Sequence, residues 1–159
     1  MPDDLYERDV LTWSEQQATL LRRLAAGERV NDAVDWQNVI EELEDVGVSQ
    51  LRACRSFLRL ALIHFIKLHA WPASRSAGHW TREIKAFLNA ARDHFTPAMR
   101  NRVDLAALYA DALYELDGEQ DDSGVSRPWP RACPLLLDDM LARHPDVASL
   151  TARFGDGDA

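Results

Sequence analysis

The chain has 159 residues, 47% hydrophobic and 28% charged, which excludes a disordered polymer and allows a core without metal or disulfide staples. Leu (21) and Ala (22) dominate while Gly and Pro number only 7 each, so an all-α fold is expected rather than a turn-rich β-sandwich. Net charge is −8, divided as −8 over residues 1–48, +8 over 49–102 and −8 over 103–159, a basic middle between two acidic arms.

A first helix is expected over residues 4–26. There Tyr6, Val10, Trp13, Gln17, Leu20, Leu21 and Leu24 recur at helical steps, and Gly27 can stop the helix. After a polar connection, Asp35 can cap a long second helix, with Asn38 where a full capping box would have Glu. The seam of this helix reads Trp36, Ile40, Leu43, Gly47, Leu51, Cys54, Leu58, Ala61, Phe65 and Leu68. These positions fall within about 100° of a helical wheel, so one apolar stripe persists and predicts a central helix contacted on more than one side. Gly47 inside the stripe costs about 1 kcal/mol against Ala. It therefore marks either a close neighbour or a break into two helices.

Pro72 stops the long helix, and residues 72–78 form a loop. A third helix is expected over 79–94, with Trp80, Ile84, Phe87, Leu88 and Ala91 inward. Thr96-Pro97 reads as a cap followed by a first-turn proline. A fourth helix runs to about Leu116, entered by a short turn before Asp104. Residues 118–134 form a polar, proline-bearing loop of the kind that wraps a domain. A short last helix covers 135–142. The expected architecture is all-α, with about five helices in a bundle around one long central helix. It comprises a helical domain over 1–144 and a loosely ordered tail over 145–159.

Two cysteines, Cys54 and Cys133, form no C-x-x-C motif, and the N-terminal residues are acidic rather than signal-like. Both features point to a reducing, cytoplasmic setting. The most apolar stretch, 57–70, is too short for a membrane span and carries Arg59, His64, Lys67 and His69, so no membrane association is expected. No motif implies a metal or a cofactor.

Three constellations could carry chemistry. Glu41, Glu42, Glu44 and Asp45 form an acidic cluster in which Glu41 shares a helix face with Glu44 and Asp45. Paired carboxylates could bind a cation, but ion pairing is the favoured reading, with Arg55, Arg75 or Arg82 as partners for Glu44. A di-iron bundle would need Glu-x-x-His, and no Glu here is followed by His at that spacing. His64 lies on the apolar edge of the long helix and is the histidine expected to be buried. A hydrogen-bonded core role is favoured for it over ligation. The segment from Trp71 to Trp80, with Arg75, Ser76 and a following helix start, is the most site-like, because Arg and backbone N–H groups suit an anion. The structural alternative has the two tryptophans clamping the turn, and it is favoured. Nucleophile elbows, P-loops and dinucleotide fingerprints are absent from the sequence.

Several stretches resemble a bacterial family, common in cyanobacteria and proteobacteria, catalogued as domain of unknown function family 29. They are Leu5-Tyr6-Glu7-Arg8-Asp9 with Trp13, residues 40–47 from Ile40 to Gly47 with Ser49, Trp71-Pro72 with Arg75-Ser76 and Trp80, and Cys133-Pro134. The resemblance covers about residues 4–143 and implies an all-α domain with no assigned activity. Family members usually carry a basic residue after the glycine and an acid after the serine. This chain has Val48 and Gln50 there.

The expected function is a non-enzymatic interaction module that engages a protein partner or a second copy of itself. One alternative is a small-molecule or metal-dependent hydrolytic enzyme using Glu41, Glu44, His64, Arg75 and Trp80 between the second and third helices. A weaker one is nucleic-acid binding through 49–102, because the acidic whole repels duplex DNA at long range.

Overall fold

The computed structural model describes residues 5–156. Asp4, the expected start of the first helix, and residues 157–159 of the expected tail lie outside them. The described residues fall into two compact units that divide between Val48 and Ser49. The boundary coincides with the change of charge sign between residues 48 and 49. All helices and turns fit the all-α expectation, and β pairing among the described residues is limited to an isolated bridge between Asp121 and Gly124.

The first unit contains α1 (Leu5–Arg8), α2 (Val10–Ala25), a 3-10 turn (Asn31–Ala33) and the start of α3 (Trp36–Ala70). The expected first helix is interrupted at Asp9. Its carboxylate accepts from Thr12 N at 3.0 Å and Thr12 Oγ1 at 2.6 Å, so it caps α2 instead of extending α1. Gly27, at φ 89°, ends α2 as expected. Trp13, Val34 and Val39 form the core of this unit, and the Tyr6 ring packs edge-on against Trp13 at 4.8 Å. Asp35 caps α3, accepting from Asn38 Nδ2 at 2.7 Å.

The long helix does not break at Gly47. A Cβ built there would meet nothing within 4 Å, so no neighbour in this chain approaches it either.

The second unit takes the remainder of α3, then α4 (Ala77–His94), a 3-10 turn (Pro97–Arg102), α5 (Leu105–Leu116), α6 (Leu137–Leu141) and α7 (Val147–Ala152). Leu58, Leu62, Phe65 and Ile66 of α3 pack with Ile84 and Leu88 of α4, Tyr109 of α5 and Met140 of α6. Here the basic middle meets the third, acidic arm. Arg59 pairs with Glu115, Lys67 with Glu119 at 2.8 Å, and Arg100 with Asp138 at 2.8 Å. Residues 127–130 of the loop after α5 are strapped down by three hydrogen bonds. Arg127 N donates to Ala70 O at 2.9 Å, His69 Nε2 to Pro128 O at 2.9 Å, and the Tyr109 hydroxyl to Pro130 O at 2.6 Å.

Residues 145–156 of the expected tail are not loose. Val147, Leu150 and Phe154 are buried in the main core, and the Phe154 ring lies 6.0 Å from Phe65, 6.0 Å from His69 and 6.3 Å from Tyr109. Three apolar residues give too little periodicity to read in a polar, glycine-bearing sequence. They suffice once a preformed apolar surface is there to receive them.

Candidate functional site

The turn between α3 and α4 holds its two tryptophans inward. Trp71 and Trp80 are buried in a small cluster with Ala70, and Trp71 meets Trp129 edge-on at 6.5 Å. Lys67 Nζ sits 6.0 Å from the Trp80 ring. Beside the turn lies a polar cleft of about 430 Å³ whose lining includes Ser74, Arg75, Ser76, Asp121 and Ser123. Asp121 accepts from Ser74 Oγ at 2.8 Å and from Ser123 N at 2.9 Å. The Ser123 and Ser74 hydrogen bonds hold its carboxyl below the usual carboxylate range. A carboxylate so engaged is a weak base at neutral pH, and among the described residues no histidine bonds to it or to Ser74. Nothing in the sequence signalled this contact, because Ser74 and Asp121 are 47 positions apart.

Arg75 and Ser76 are exposed at this cleft. Ser76 N donates to Ser74 Oγ at 3.1 Å, while the Ser76 side chain caps no backbone N–H of α4. Arg55 and Arg82 are also exposed. Among the described residues Arg55, Arg75 and Arg82 have no ion pair within their own unit.

The histidines divide differently from expectation. His69, not His64, is the buried one, because its ring bonds to the Pro128 carbonyl and packs near Phe154. His64 is half-buried on α3. Its Nδ1 donates to Leu60 O at 2.8 Å, and its ring meets Phe87 edge-on at 5.4 Å. Burial holds its pKa below the ordinary value, so the ring is neutral at pH 7. Among the described residues no group of three or more His, Cys, Asp or Glu is arranged to hold a metal ion.

Glu41 and Glu44 belong to the first unit, whereas His64, Arg75 and Trp80 belong to the second. Glu44 and His64 are twenty positions apart on α3, outside the i to i+4 reach over which helical side chains meet. Glu41 is exposed and accepts from Gln37 Nε2 of its own helix at 3.4 Å. Glu42 is the engaged member of the acidic cluster. It accepts the Tyr6 hydroxyl at 2.5 Å, and that bond pushes the phenol up to about 12.

The first part of α3 shows what periodicity could not. Val39 faces the core, but Ile40, Leu43 and Val46 are 51%, 70% and 61% exposed. Trp36 and Val48 are exposed as well. The stripe that the sequence marks for burial is therefore bare over its first third, and Glu41, Glu44 and Asp45 stand exposed around it.

Comparison with known proteins bears on both units. The family described as Domain of unknown function DUF29 matches residues 5–144. The chain belongs to this family. A solved α-helical protein of unknown function from Rhodospirillum rubrum ATCC 11170 is 29% identical to it. That alignment covers 93% of this chain and 96% of the other, with a TM-score of 0.69, and supports the all-helical fold of this DUF29 member. No curated protein matches the chain. Among the described residues no helix is long and apolar enough to cross a membrane.

Proposed function

We propose that this DUF29 chain is a helical interaction module whose contact face is the first third of α3. The observation that carries this reading is the exposure of Ile40, Leu43 and Val46 on neighbouring turns of one helix. Contiguous apolar surface of that kind is uncommon on a protein that meets nothing, and its burial is favourable by about 25 cal/mol per Å². Unpaired acids around an apolar centre match the polar rim and apolar middle of a protein interface. The −8 charge of residues 1–48 steers a cationic surface toward that face. A nucleic-acid reading is weaker, because Arg59, Lys67 and Arg100 of the basic middle are engaged by Glu115, Glu119 and Asp138.

A photoreactive amino acid placed at position 43 in the native cell tests the module. Irradiation is expected to give a protein adduct at 43 and none at position 114, where the tyrosine is exposed on α5. Absence of any protein adduct at 43 overturns the reading.

A further inference from the structure

We infer that the second unit carries a binding cleft for a small organic molecule bearing two or more phosphate groups, between α4 and the segment 142–145 that joins α6 to α7. The inference is independent of the α3 face, because every residue lining the cleft belongs to the second unit. The cleft has a volume of about 460 Å³. Small-molecule sites commonly enclose about 300–1,000 Å³.

One wall is a face of α4. Lys85, Asn89 and Arg92 are spaced at i, i+4 and i+7, so their side chains leave the helix on the same side. The other wall is Arg143, His144 and Pro145. Arg92 holds the two walls together. Its Nη1 donates to Ala142 O and to Arg143 O, both at 3.0 Å, and its Nη2 donates to Asn89 Oδ1. These bonds orient the guanidinium and fix the segment that carries Arg143 and His144.

The charge of the cleft selects the class of ligand. All three acceptors on Arg92 are neutral, so they orient its positive charge without cancelling it. A guanidinium has about five N–H donors, and these bonds occupy at most about three of them. Lys85, Arg143 and His144 are exposed, and among the described residues none has an ion pair within the second unit. No carboxylate among the described residues lines the cleft. Asp146, next to Pro145, is engaged in capping α7, where it accepts from Ser149 N at 3.2 Å and Ser149 Oγ at 2.9 Å. A cleft lined by one sign of charge concentrates counter-ions.

Spacing sets the number of phosphates. Lys85 and Arg92 are seven residues apart, about 10 Å along the axis of α4. A di- or triphosphate chain matches that separation, and the number of cations, better than a single phosphate does. Arg meets phosphate oxygens as a fork and Lys meets them as a point charge. The volume beyond the phosphates accommodates an organic body.

The test is isothermal titration calorimetry of the full chain in metal-free buffer of low ionic strength, with ATP, inorganic phosphate and a short oligothymidylate as probes. It is run on the natural sequence, on Lys85→Glu and on Arg143→Glu. Arg75→Glu, which reverses a charge at the cleft beside the α3–α4 turn, is the control. All three side chains are exposed, so helicity by circular dichroism is expected to be unchanged in each variant. ATP is expected to bind at micromolar concentration, at least about tenfold more tightly than inorganic phosphate. Lys85→Glu and Arg143→Glu should each weaken it about tenfold or more, and Arg75→Glu less than about twofold. No ATP binding at millimolar concentration overturns the inference. ATP binding that the two cleft variants leave unchanged, or that Arg75→Glu weakens as much, overturns the assignment to this cleft. Phosphate binding as tightly as ATP overturns the requirement for more than one phosphate group. Oligothymidylate binding more tightly than ATP, and lost in the same two variants, assigns the cleft to a nucleic-acid backbone and overturns the small-molecule ligand.

Discussion

The indole N–H of Trp13 donates to Asp35 Oδ2 at 3.0 Å, tying α2 to the cap of α3. The tie is doubled from the other side, where Asp35 N donates to Gln17 Oε1 at 2.8 Å. Gln17 is buried for this reason and not as an apolar seam residue. Trp13→Phe keeps most of the ring but leaves the carboxylate short of a donor. It should destabilise the first unit by about 1–3 kcal/mol, read as a lower urea midpoint. Amide exchange should speed up in α2 and at the start of α3. Unchanged exchange there would show that the bond does not hold the unit together.

Several helix-capping carboxylates titrate below their ordinary range. Asp9 is lowered by Thr12, Asp35 chiefly by the Asn38 side chain, and Asp146 by the Ser149 backbone N–H. For each, the folded state holds the proton less tightly than the unfolded chain does. Their contribution to stability is therefore complete above the unfolded carboxylate pKa of about 4, and is lost as pH falls through the lowered folded values. Thermal midpoints should be level with respect to these groups above about pH 5 and drop below about pH 4. Asp9→Asn should flatten part of that drop.

Phe154 is 2% exposed and its ring lies near those of Phe65, His69 and Tyr109. Phe154→Ala should destabilise the second unit by about 3–5 kcal/mol through the cavity it leaves. Ending the chain after residue 144 should be worse, since Val147 and Leu150 are lost with it. A truncated chain as stable to urea as the full one would contradict the assignment of the tail to the core.

The Tyr109 hydroxyl is the hydrogen-bond donor to Pro130 O, and Tyr109 is 1% exposed. Tyr109→Phe removes one strap of the loop that follows α5. The expected loss is about 1 kcal/mol, because the half-buried Pro130 carbonyl loses its donor. Limited proteolysis should show faster cutting near residues 127–134, and an unchanged cutting rate would argue that the remaining ties of the loop suffice.

Local chemistry was the legible part of this protein. The Asp35 cap, the Gly27 stop, the proline after Thr96 and the Asp104 turn all work through contacts within a few residues, so their signals lie side by side in the sequence. The Asp9 cap carries the same signal with Thr12 at its third position, yet the apolar period running across it read as one helix. His64 and His69 show the limit from another side. Apolar periodicity favours His64 for burial, but the Pro128 carbonyl and Phe154 come from far along the chain to enclose His69.

The candidate site divides in the same way. Periodicity identified the stripe through Ile40, Leu43 and Gly47, and charge counting located the reversal at residue 48. Neither could say that the stripe is bare at Leu43 and covered from Cys54 onward, because coverage depends on what other segments bring to each turn. Likewise Arg59 and Arg55 are alike in sequence, but Glu115 reaches only the first. The sequence by itself determined the all-α class, the long helix and its charge reversal, since these follow from propensity, period and composition. Only the tertiary structure decided which face of that helix stays exposed, which cations remain unpaired and that the tail joins the core. Those outcomes turn on long-range packing, where a residue's environment is set by partners that its neighbours in sequence do not reveal.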